Sequence, residues 1–193
     1  MKKIIAICLV IIFCKACSEK QEIREKAQVQ SLEIKDSVLL VNGFDFPVGK
    51  PDAKGYYNAQ KFQVNNHLGD DWNGINGGNS DLGDPIYSIA NGKVILAKDI
   101  KGGWGKVVRI VHTFEDGNQV ESLYAHCDSI FVEKNQTVKK GTKIGTIGTA
   151  DGQYLAHLHF EIRTDVSLPI GRGYSSQTRG YVDPTLFIEQ NRN

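Results

Sequence analysis

Cysteine is scarce in this chain of 193 residues, and three of its four cysteines lie within the first 17 residues. Cys127 is the only cysteine of the remaining sequence. One internal cysteine cannot supply a disulfide framework, so the class of small disulfide-held scaffolds is excluded. Proline is also scarce, with five residues against twenty glycines, and this ratio favours short strands and tight turns over a helical bundle.

The sequence has no marked excess of charge of either sign. Its formal net charge is +1, and three of its 23 basic residues are Lys2, Lys3 and Lys15. The sequence after residue 17 therefore holds 20 basic and 22 acidic side chains. Such a near-neutral chain has no electrostatic attraction for a polyanion, so we expect no nucleic acid partner.

Long apolar runs are absent except for residues 4–13, a run of ten. A helix that crosses a bilayer needs about 20 apolar residues, so this run is too short to span a membrane. It follows Lys2 and Lys3 and comes before hydrophilic sequence, which is the layout of a secretory signal. We therefore predict a signal peptide over residues 1–16 and an exported protein.

The cysteine that follows this segment suggests a lipid anchor. The sequence around Cys17 resembles the lipobox of bacterial lipoproteins, in which this cysteine is acylated. It departs from that pattern at Cys14, where leucine is usual, and cleavage by ordinary signal peptidase after Ala16 would leave Cys17 unmodified. We expect a membrane-anchored lipoprotein of the cell envelope that faces the periplasm or the cell wall.

The rest of the chain predicts a charged tether over residues 17–40 and one folded domain over residues 41–193. The domain is expected to be mainly β, with antiparallel sheets and few short helices. Residues 84–90 and 92–98 read as two strands around an Asn91-Gly92 turn, which predicts a hairpin.

A short internal repeat adds to this prediction. Residues 83–89 and 141–147 share the pattern G-x-x-I-x-[ST]-I. Two matched strand–turn units predict a duplicated motif that forms one barrel-like sandwich.

The most informative stretch is the strand predicted over residues 156–162. Successive side chains of a strand point to opposite faces. One face would then carry two imidazoles and a carboxylate, and the other face would be apolar. The polar set is His157, His159 and Glu161, and the apolar set is Leu158, Phe160 and Ile162.

A second group of candidate ligands precedes this strand. His67 comes four residues before Asp71, and Gly69 between them permits a tight bend. Imidazole and carboxylate are good ligands for Zn²⁺, and a catalytic zinc site takes three protein ligands and leaves one position for water. His67, Asp71 and one histidine of the later strand satisfy this count, with Asp70 as an alternative to Asp71.

A further histidine ends another predicted strand, residues 120–126. Strict alternation places Ser122, Tyr124 and His126 on one face of it. A neutral imidazole near a metal-activated water could transfer protons, which gives His126 a candidate role. The sequence contains no His-Glu-x-x-His motif, so the common zincin arrangement is excluded.

Together, three motifs resemble those of the LytM/lysostaphin-type zinc metallopeptidases, family M23, in the family's order and spacing, and the resemblance runs over residues 44–188. They are His67-x-Gly69-x-Asp71, Tyr124-Ala125-His126 and His157-Leu158-His159-Phe160-Glu161. The resemblance implies that His67, Asp71 and His159 bind Zn²⁺. It also implies that His126 and His157 flank the attacking water and stabilise the tetrahedral oxyanion.

The same resemblance implies a duplicated hybrid motif as the fold and the peptide part of peptidoglycan as the substrate of an endopeptidase. We expect a monomer. Residues 73–81 and 150–156 depart from the family's usual pattern at the border of the presumed groove, which leaves the substrate preference open. Two other functions stay open: a non-catalytic envelope module that binds peptidoglycan or activates another hydrolase, and a phosphotransfer domain with two active-site histidines.

Several residues near these motifs also admit structural interpretations. His112 is expected to be structural or on the surface, and Cys127 a small buried hydrophobe. Glu161 is expected either to orient an imidazole or to form an ion pair with Arg163. Trp104 is expected in the core or at the rim of the groove.

Overall fold

A computed structural model describes residues 39–192 and, in the preceding segment, only Gln21 and Arg24. The predicted signal peptide, Cys17 and nearly all of the predicted tether lie outside the described residues. None of the described helices is long and apolar enough to cross a membrane. The boundaries of tether and domain remain predictions.

The described chain is mainly β and antiparallel, as predicted, with ten strands in one sheet. The strands are β1 (Tyr56–Gln60), β2 (Asp70–Gly74), β3 (Pro85–Tyr87), β4 (Gly92–Asp99), β5 (Lys106–Thr113), β6 (Gln119–Ile130), β7 (Thr137–Val138), β8 (Lys143–Ile147), β9 (Leu158–Arg163) and β10 (Tyr181–Val182). Short helical turns cover Gly49–Ala53, Val64–Asn66 and Gly102–Trp104, and an α-helix, α1, covers Pro184–Gln190.

The order of the strands brings the three histidine motifs together. Neighbouring strands follow the order β1-β2-β9-β6-β5-β4-β7, while β10 pairs with β9 and β8 joins β6 to β3. In this order β9 lies between β2 and β6. Asp71 of β2 and Ala125 of β6 are both direct partners of His159.

The hairpin predicted around Asn91 and Gly92 is wrong. β3 does not pair with β4 but with β8, through Pro85 and Thr146 and through Ile86 and Gly145. β4 pairs instead with β5 and β7. The Asn-Gly dipeptide is a local signal, and here the long-range pairing of the two repeated segments outweighs it.

The predicted alternation of the histidine strand is correct. The apolar side chains of β9 are Leu158, Phe160 and Ile162. All three are fully buried and belong to the main core. Each such side chain contributes about 1.5–3 kcal/mol when it is removed from water. Because the apolar face is buried so completely, the register of β9 is fixed and the polar face must point the other way.

Near the C-terminus, α1 closely follows β10. Asp183 caps α1, since its side chain accepts a hydrogen bond from Leu186 N. Pro184 occupies the first turn, where its missing N–H costs nothing. Ile188 is fully buried in the core and attaches the helix to the sheet.

Candidate metal centre

Three candidate ligands converge on one point above β2 and β9. Nε2 of His67 lies 2.9 Å from Nδ1 of His159 and 3.3 Å from Oδ1 of Asp71. Nδ1 of His159 lies 3.0 Å from the same Asp71 oxygen. Two imidazole nitrogens and a carboxylate oxygen thus form a small triangle, and both histidines are buried.

The triangle has the dimensions of one face of a zinc site. With ligand bonds of about 2.1 Å, a tetrahedral ion separates its ligand atoms by roughly 3.4 Å. The three separations are slightly shorter than this value, so a small outward shift of the side chains makes room for the ion. The donor set of two nitrogens and one oxygen also suits Zn²⁺, and the three residues therefore fit the metal that the sequence implies.

Gly69 allows the chain to place His67 and Asp71 on the same point. A Cβ atom at this position would lie 2.4 Å from the carbonyl oxygen of Phe160, which is too close for any side chain. The bend after His67 can therefore press directly against β9 only with glycine. This is the tight approach that the spacing in the sequence suggested.

The two adjacent aspartates have different environments. Asp71 provides one corner of the triangle. Asp70 is fully buried and accepts hydrogen bonds from Phe62 N at 3.0 Å and from Thr185 Oγ1 at 2.6 Å. Burial raises the pKa of Asp70, against the effect of these hydrogen bonds. Asp70 therefore joins β2 to the start of α1, and the geometry favours Asp71 as the ligand.

The electrostatics of the triangle favour an ionised carboxylate. Burial alone would raise the pKa of Asp71, but hydrogen bonds from His159 and His67 outweigh burial and hold it well below its usual range. Burial likewise disfavours protonated His159, but its hydrogen bonds to Asp71 and Glu161 prevail and raise its pKa to about 9. A cation bound by His159 would take the place of this proton, since a histidine ligand must be neutral at the coordinating nitrogen.

His157 points its Nε2 atom towards the triangle. That atom lies 3.8 Å from Oδ1 of Asp71, while Nδ1 lies 2.8 Å from the carbonyl oxygen of Leu155. A carbonyl oxygen can only accept, so Nδ1 carries the proton and donates it. In the neutral ring, Nε2 is then free to accept a proton on the side of the metal centre.

The side chain of His126 lies on a different face of the sheet from the one that strict alternation predicts. Strict alternation places it on the face of Ser122 and Tyr124, yet Tyr124 packs in the main core, on the opposite side of the sheet. At His126 the backbone has a φ of 61°, in the left-handed region, which interrupts the alternation of β6. Its ring then faces the rings of His157 and His159, with centroids 4.8 and 5.6 Å away.

His126 is held as a neutral base. Burial, followed by the nearby charges of His159 and His157, lowers the pKa of His126 to about 3. Its Nδ1 lies 3.3 Å from the carbonyl oxygen of Trp104 and donates to it. As in His157, this contact leaves Nε2 without a proton, so both rings can accept hydrogen bonds in the groove.

Behind the ligands lies a buried chain of ion pairs. Glu161 contacts Nε2 of His159 through Oε1, at 3.0 Å, and Arg163 through Oε2, at 2.8 Å. Both expectations for Glu161 are therefore met by one carboxylate. Arg163 lies 3.6 Å from Glu121, which in turn forms a bidentate pair with Arg109 at 2.6 Å for both contacts.

The same arginines hold a loop at the border of the groove, residues 168–175, here called the arginine loop. Arg163 donates to the carbonyl oxygens of Pro169 and Ile170, at 3.0 and 2.8 Å. Arg109 donates to that of Leu168, at 2.8 Å. The support of the candidate ligand His159 and the anchoring of the loop are thus parts of one network.

Two tyrosines outside the three histidine motifs border the groove, whose volume is about 470 Å³. The ring of Tyr154 lies 5.0 Å from that of His126, and the ring of Tyr174 lies 5.1 Å from that of His67. Both are about half exposed, at 45% and 51%, so a substrate can contact them. Nothing in their local sequence marks them, because only the tertiary contacts bring these loops to the groove.

The two segments that depart from the family's pattern meet beside His157. Asn79 accepts a hydrogen bond from Ala156 N at 2.8 Å, and Asn73 donates to Ala156 O at 3.1 Å. The loop after β2 is therefore attached to the backbone next to His157. It holds the backbone that precedes His157 in place, although residues 73–81 do not themselves line the groove.

The remaining candidates have structural positions. His112 is fully buried and contacts Asn91 O and Ser122 Oγ, at 2.9 and 2.7 Å. Cys127 is a buried free thiol, and burial raises its pKa to about 12, so it is an unreactive hydrophobe as expected. Trp104 lies at the rim, with its ring 5.4 Å from that of His159.

Comparison with known protein families agrees with this geometry. The family described as peptidase family M23 matches residues 70–177, which is more than half of the chain. The chain belongs to peptidase family M23. Its fold is also that of solved members: it matches a crystal structure of an M23 peptidase from Pseudomonas aeruginosa with 27% identity and a TM-score of 0.54, over 88% of this chain and 61% of that one.

Two of the related sequences are named NlpD, and a third is named as a peptidoglycan endopeptidase. Lipoprotein NlpD of Yersinia enterocolitica is 40% identical over 81 residues, which are 42% of this chain and 78% of that protein. The murein hydrolase activator NlpD of Escherichia coli is 38% identical over 81 residues, 42% of this chain but only 20% of that protein. The peptidoglycan DD-endopeptidase ShyB of Vibrio cholerae is 31% identical over 106 residues, 51% of this chain and 24% of that protein.

Proposed function

We propose that this protein is a zinc-dependent endopeptidase that hydrolyses peptide bonds in the stem peptides or cross-links of peptidoglycan. One observation carries the proposal: the atoms of His67, Asp71 and His159 converge within about 3 Å, and two further histidines face them in the same groove. A hydrolytic metal site needs both parts.

In the proposed centre, His67 Nε2, Asp71 Oδ1 and His159 Nδ1 bind the ion. When bound, Zn²⁺ polarises the peptide carbonyl and lowers the pKa of water, so that a nucleophile is available near neutral pH. The carboxylate of Asp71 offsets part of the charge of the ion. The two buried histidines exclude bulk water from one side of the ligand triangle.

His157 and His126 are proposed to carry the proton transfer. Each ring is fixed by donation from Nδ1 to a backbone carbonyl, so that Nε2 accepts. One ring can remove a proton from the attacking water, and in its protonated form it can then donate to the oxyanion or to the leaving amine. Because burial lowers the pKa of His126, its protonated form readily gives up the proton, which suits donation to the leaving amine.

The cell-envelope location and the substrate rest on the sequence and on the family. The predicted export signal takes the domain to the compartment that contains peptidoglycan. ShyB, by its name, cleaves peptidoglycan. The resemblance of the three histidine motifs to those of zinc metallopeptidases implies the metal. The lipid anchor at Cys17 and the monomeric state are part of this proposal.

A second candidate function is activation of another murein hydrolase, which the name of the related NlpD protein favours. A pure activator has no need of a complete ligand set with two accepting histidines. We expect activators of this family to have lost ligands, and this chain retains all five residues. The geometry therefore favours the enzyme.

The purified full chain tests the proposal when it is supplied with Zn²⁺ and isolated peptidoglycan sacculi. Metal analysis should find one zinc ion per chain, and mass spectrometry should find soluble muropeptides with newly formed peptide termini. His159→Ala should lose zinc and activity together, whereas His157→Ala should keep zinc and lose activity. An unmutated protein that binds sacculi and stimulates an added hydrolase, but releases no product alone, would establish the activator instead.

A further inference from the structure

The arginine loop presents one side chain to the groove from a rigid backbone. In the described structure, carbonyl oxygens of five of the six residues 168–173 accept a hydrogen bond. Beyond the contacts of Arg109 and Arg163, Gly171 accepts from Trp104 Nε1 at 3.2 Å and Gly173 from Leu68 N at 2.9 Å. The exception is Arg172, which is exposed and lines the groove.

The two glycines beside Arg172 produce the sharp turn that presents it. Gly171 and Gly173 both have a φ of 75°, a left-handed conformation that residues with a Cβ rarely adopt. Gly173 is buried, and a Cβ there would lie 3.6 Å from the ring of Trp104 and 3.8 Å from that of His159. The loop is therefore packed directly on a metal ligand, with Arg172 at its tip.

Arg172 has no hydrogen-bond acceptor or acidic partner among the residues that the structure describes. The other arginines of this region, Arg109 and Arg163, are both paired with buried glutamates. Within residues 39–192, the only carboxylate that lines the groove is that of Asp71, which is committed to the proposed metal centre. An unpaired guanidinium in a groove with no other available anion is suited to bind a carboxylate of a ligand.

We propose that Arg172 is a specificity-determining residue that binds a free carboxylate of the peptide substrate beside the scissile bond. The inference rests on the proposed peptidase function and adds the chemical class of its substrate, an anionic peptide. Conversion of that carboxylate to an amide removes its charge and leaves only a neutral acceptor for the guanidinium. The preference for the anionic form should be roughly tenfold, the size of one charge-assisted hydrogen bond.

Sacculi in two forms test the inference: untreated, and treated with carbodiimide and ammonia so that free carboxylates become amides. The unmutated protein should release muropeptides from untreated sacculi about ten times faster than from amidated sacculi. Arg172→Gln should cleave both forms at similar rates while it binds zinc normally. Arg179→Gln is the matched control, because Arg179 is exposed, interacts with Asp165 and does not line the groove.

Binding is measured in parallel, so that failure of the inference and failure of the enzyme are distinguishable. His157→Ala, which should not cleave, is sedimented with each form of sacculi, with and without Arg172→Gln. A preference for untreated sacculi that Arg172→Gln abolishes supports the inference even if the protein cuts nothing. The inference is wrong if the protein with Arg172 intact binds and cleaves both forms of sacculi equally. It is also wrong if the preference for untreated sacculi persists in Arg172→Gln.

Discussion

The carboxylate of Glu161 lies 3.0 Å from Nε2 of His159, on the far side of the ring from the ligand triangle. A carboxylate can only accept, so this contact keeps the proton on Nε2 and turns the lone pair of Nδ1 towards His67 and Asp71. The position of Glu161 is itself fixed by Arg163, at 2.8 Å. The tautomer of the proposed ligand is therefore decided by a residue that does not touch the metal.

Substitution Glu161→Gln should weaken zinc binding. An amide keeps the shape of the side chain but loses the charge that orients His159 and increases its basicity. Loss of such a supporting contact typically lowers metal affinity by about 10–100-fold. Competition with a chelating dye measures the affinity, and the exposed Glu133→Gln is the control; equal affinity of both variants would contradict the assignment of Glu161.

Substitution His126→Ala should abolish most of the activity and spare the metal. The ring of His126 is not part of the ligand triangle, so zinc content should stay at the unmutated level. Loss of one positioned acid or base typically lowers the turnover rate by about 10²–10⁴-fold. Metal analysis and muropeptide release from sacculi measure the two effects; if zinc and activity fall in parallel, His126 is needed for the metal centre and not for proton transfer alone.

Substitution Glu121→Ala should destabilise the fold strongly. It removes the partner of Arg109 and leaves two buried guanidinium groups, those of Arg109 and Arg163, with one carboxylate fewer. Breaking a buried ion pair by removing one partner costs about 3–5 kcal/mol. Urea denaturation of the full chain measures the free energy of unfolding. The exposed Glu133→Ala should change it by no more than about 0.5 kcal/mol, and an equally small change for Glu121→Ala would show that the network does not stabilise the protein.

His112 should make the stability depend on pH. Burial lowers its pKa to about 4 in the folded protein, below the unfolded value of about 6.5. Unfolding therefore takes up a proton as the pH falls below about 6.5, and the stability present above this pH is lost progressively towards pH 4. Between pH 7 and pH 5 this residue should cost the protein about 2 kcal/mol.

The comparison of the unmutated protein with His112→Gln isolates this effect. Glutamine does not titrate, so the free energy of unfolding of the variant should fall less between pH 7 and pH 5, by about 2 kcal/mol. Urea denaturation at pH 7 and at pH 5 gives the change in the free energy of unfolding for each of the two proteins. The pH dependence is compared rather than the absolute stability, because loss of the contacts to Asn91 and Ser122 lowers stability at every pH. Identical pH dependence would exclude His112 as the titrating group.

Local sequence was sufficient for the histidine strand. The apolar side chains of β9 alternate with His159 and Glu161, and His157 directly precedes the strand. Burial of Phe160 and its apolar neighbours leaves a single possible register. The same holds for the bend at Gly69. The strand follows from the periodicity of its apolar residues, and the bend follows from the absence of a side chain at Gly69. Both features can be recognised without knowledge of distant contacts.

The sequence misled where long-range pairing overrides a local signal. The Asn91-Gly92 dipeptide favours a hairpin, but β3 pairs with β8 because the two repeated segments complement each other across the sheet. Similarly, the left-handed backbone at His126 moves its ring from the core face to the groove. A one-residue irregularity of this kind has no signature in the alternation of side chains.

By itself, then, the sequence determined the fold class, the family and the set of five candidate site residues, because these follow from periodicity, motif order and ligand chemistry. The tertiary structure decided which atoms meet: Asp71 rather than Asp70 at the triangle, His126 on the groove face, and Glu161 between His159 and Arg163. It also brought Arg172 to the groove. These outcomes depend on strand order, backbone irregularity and loop anchoring, which arise only when distant segments pack together.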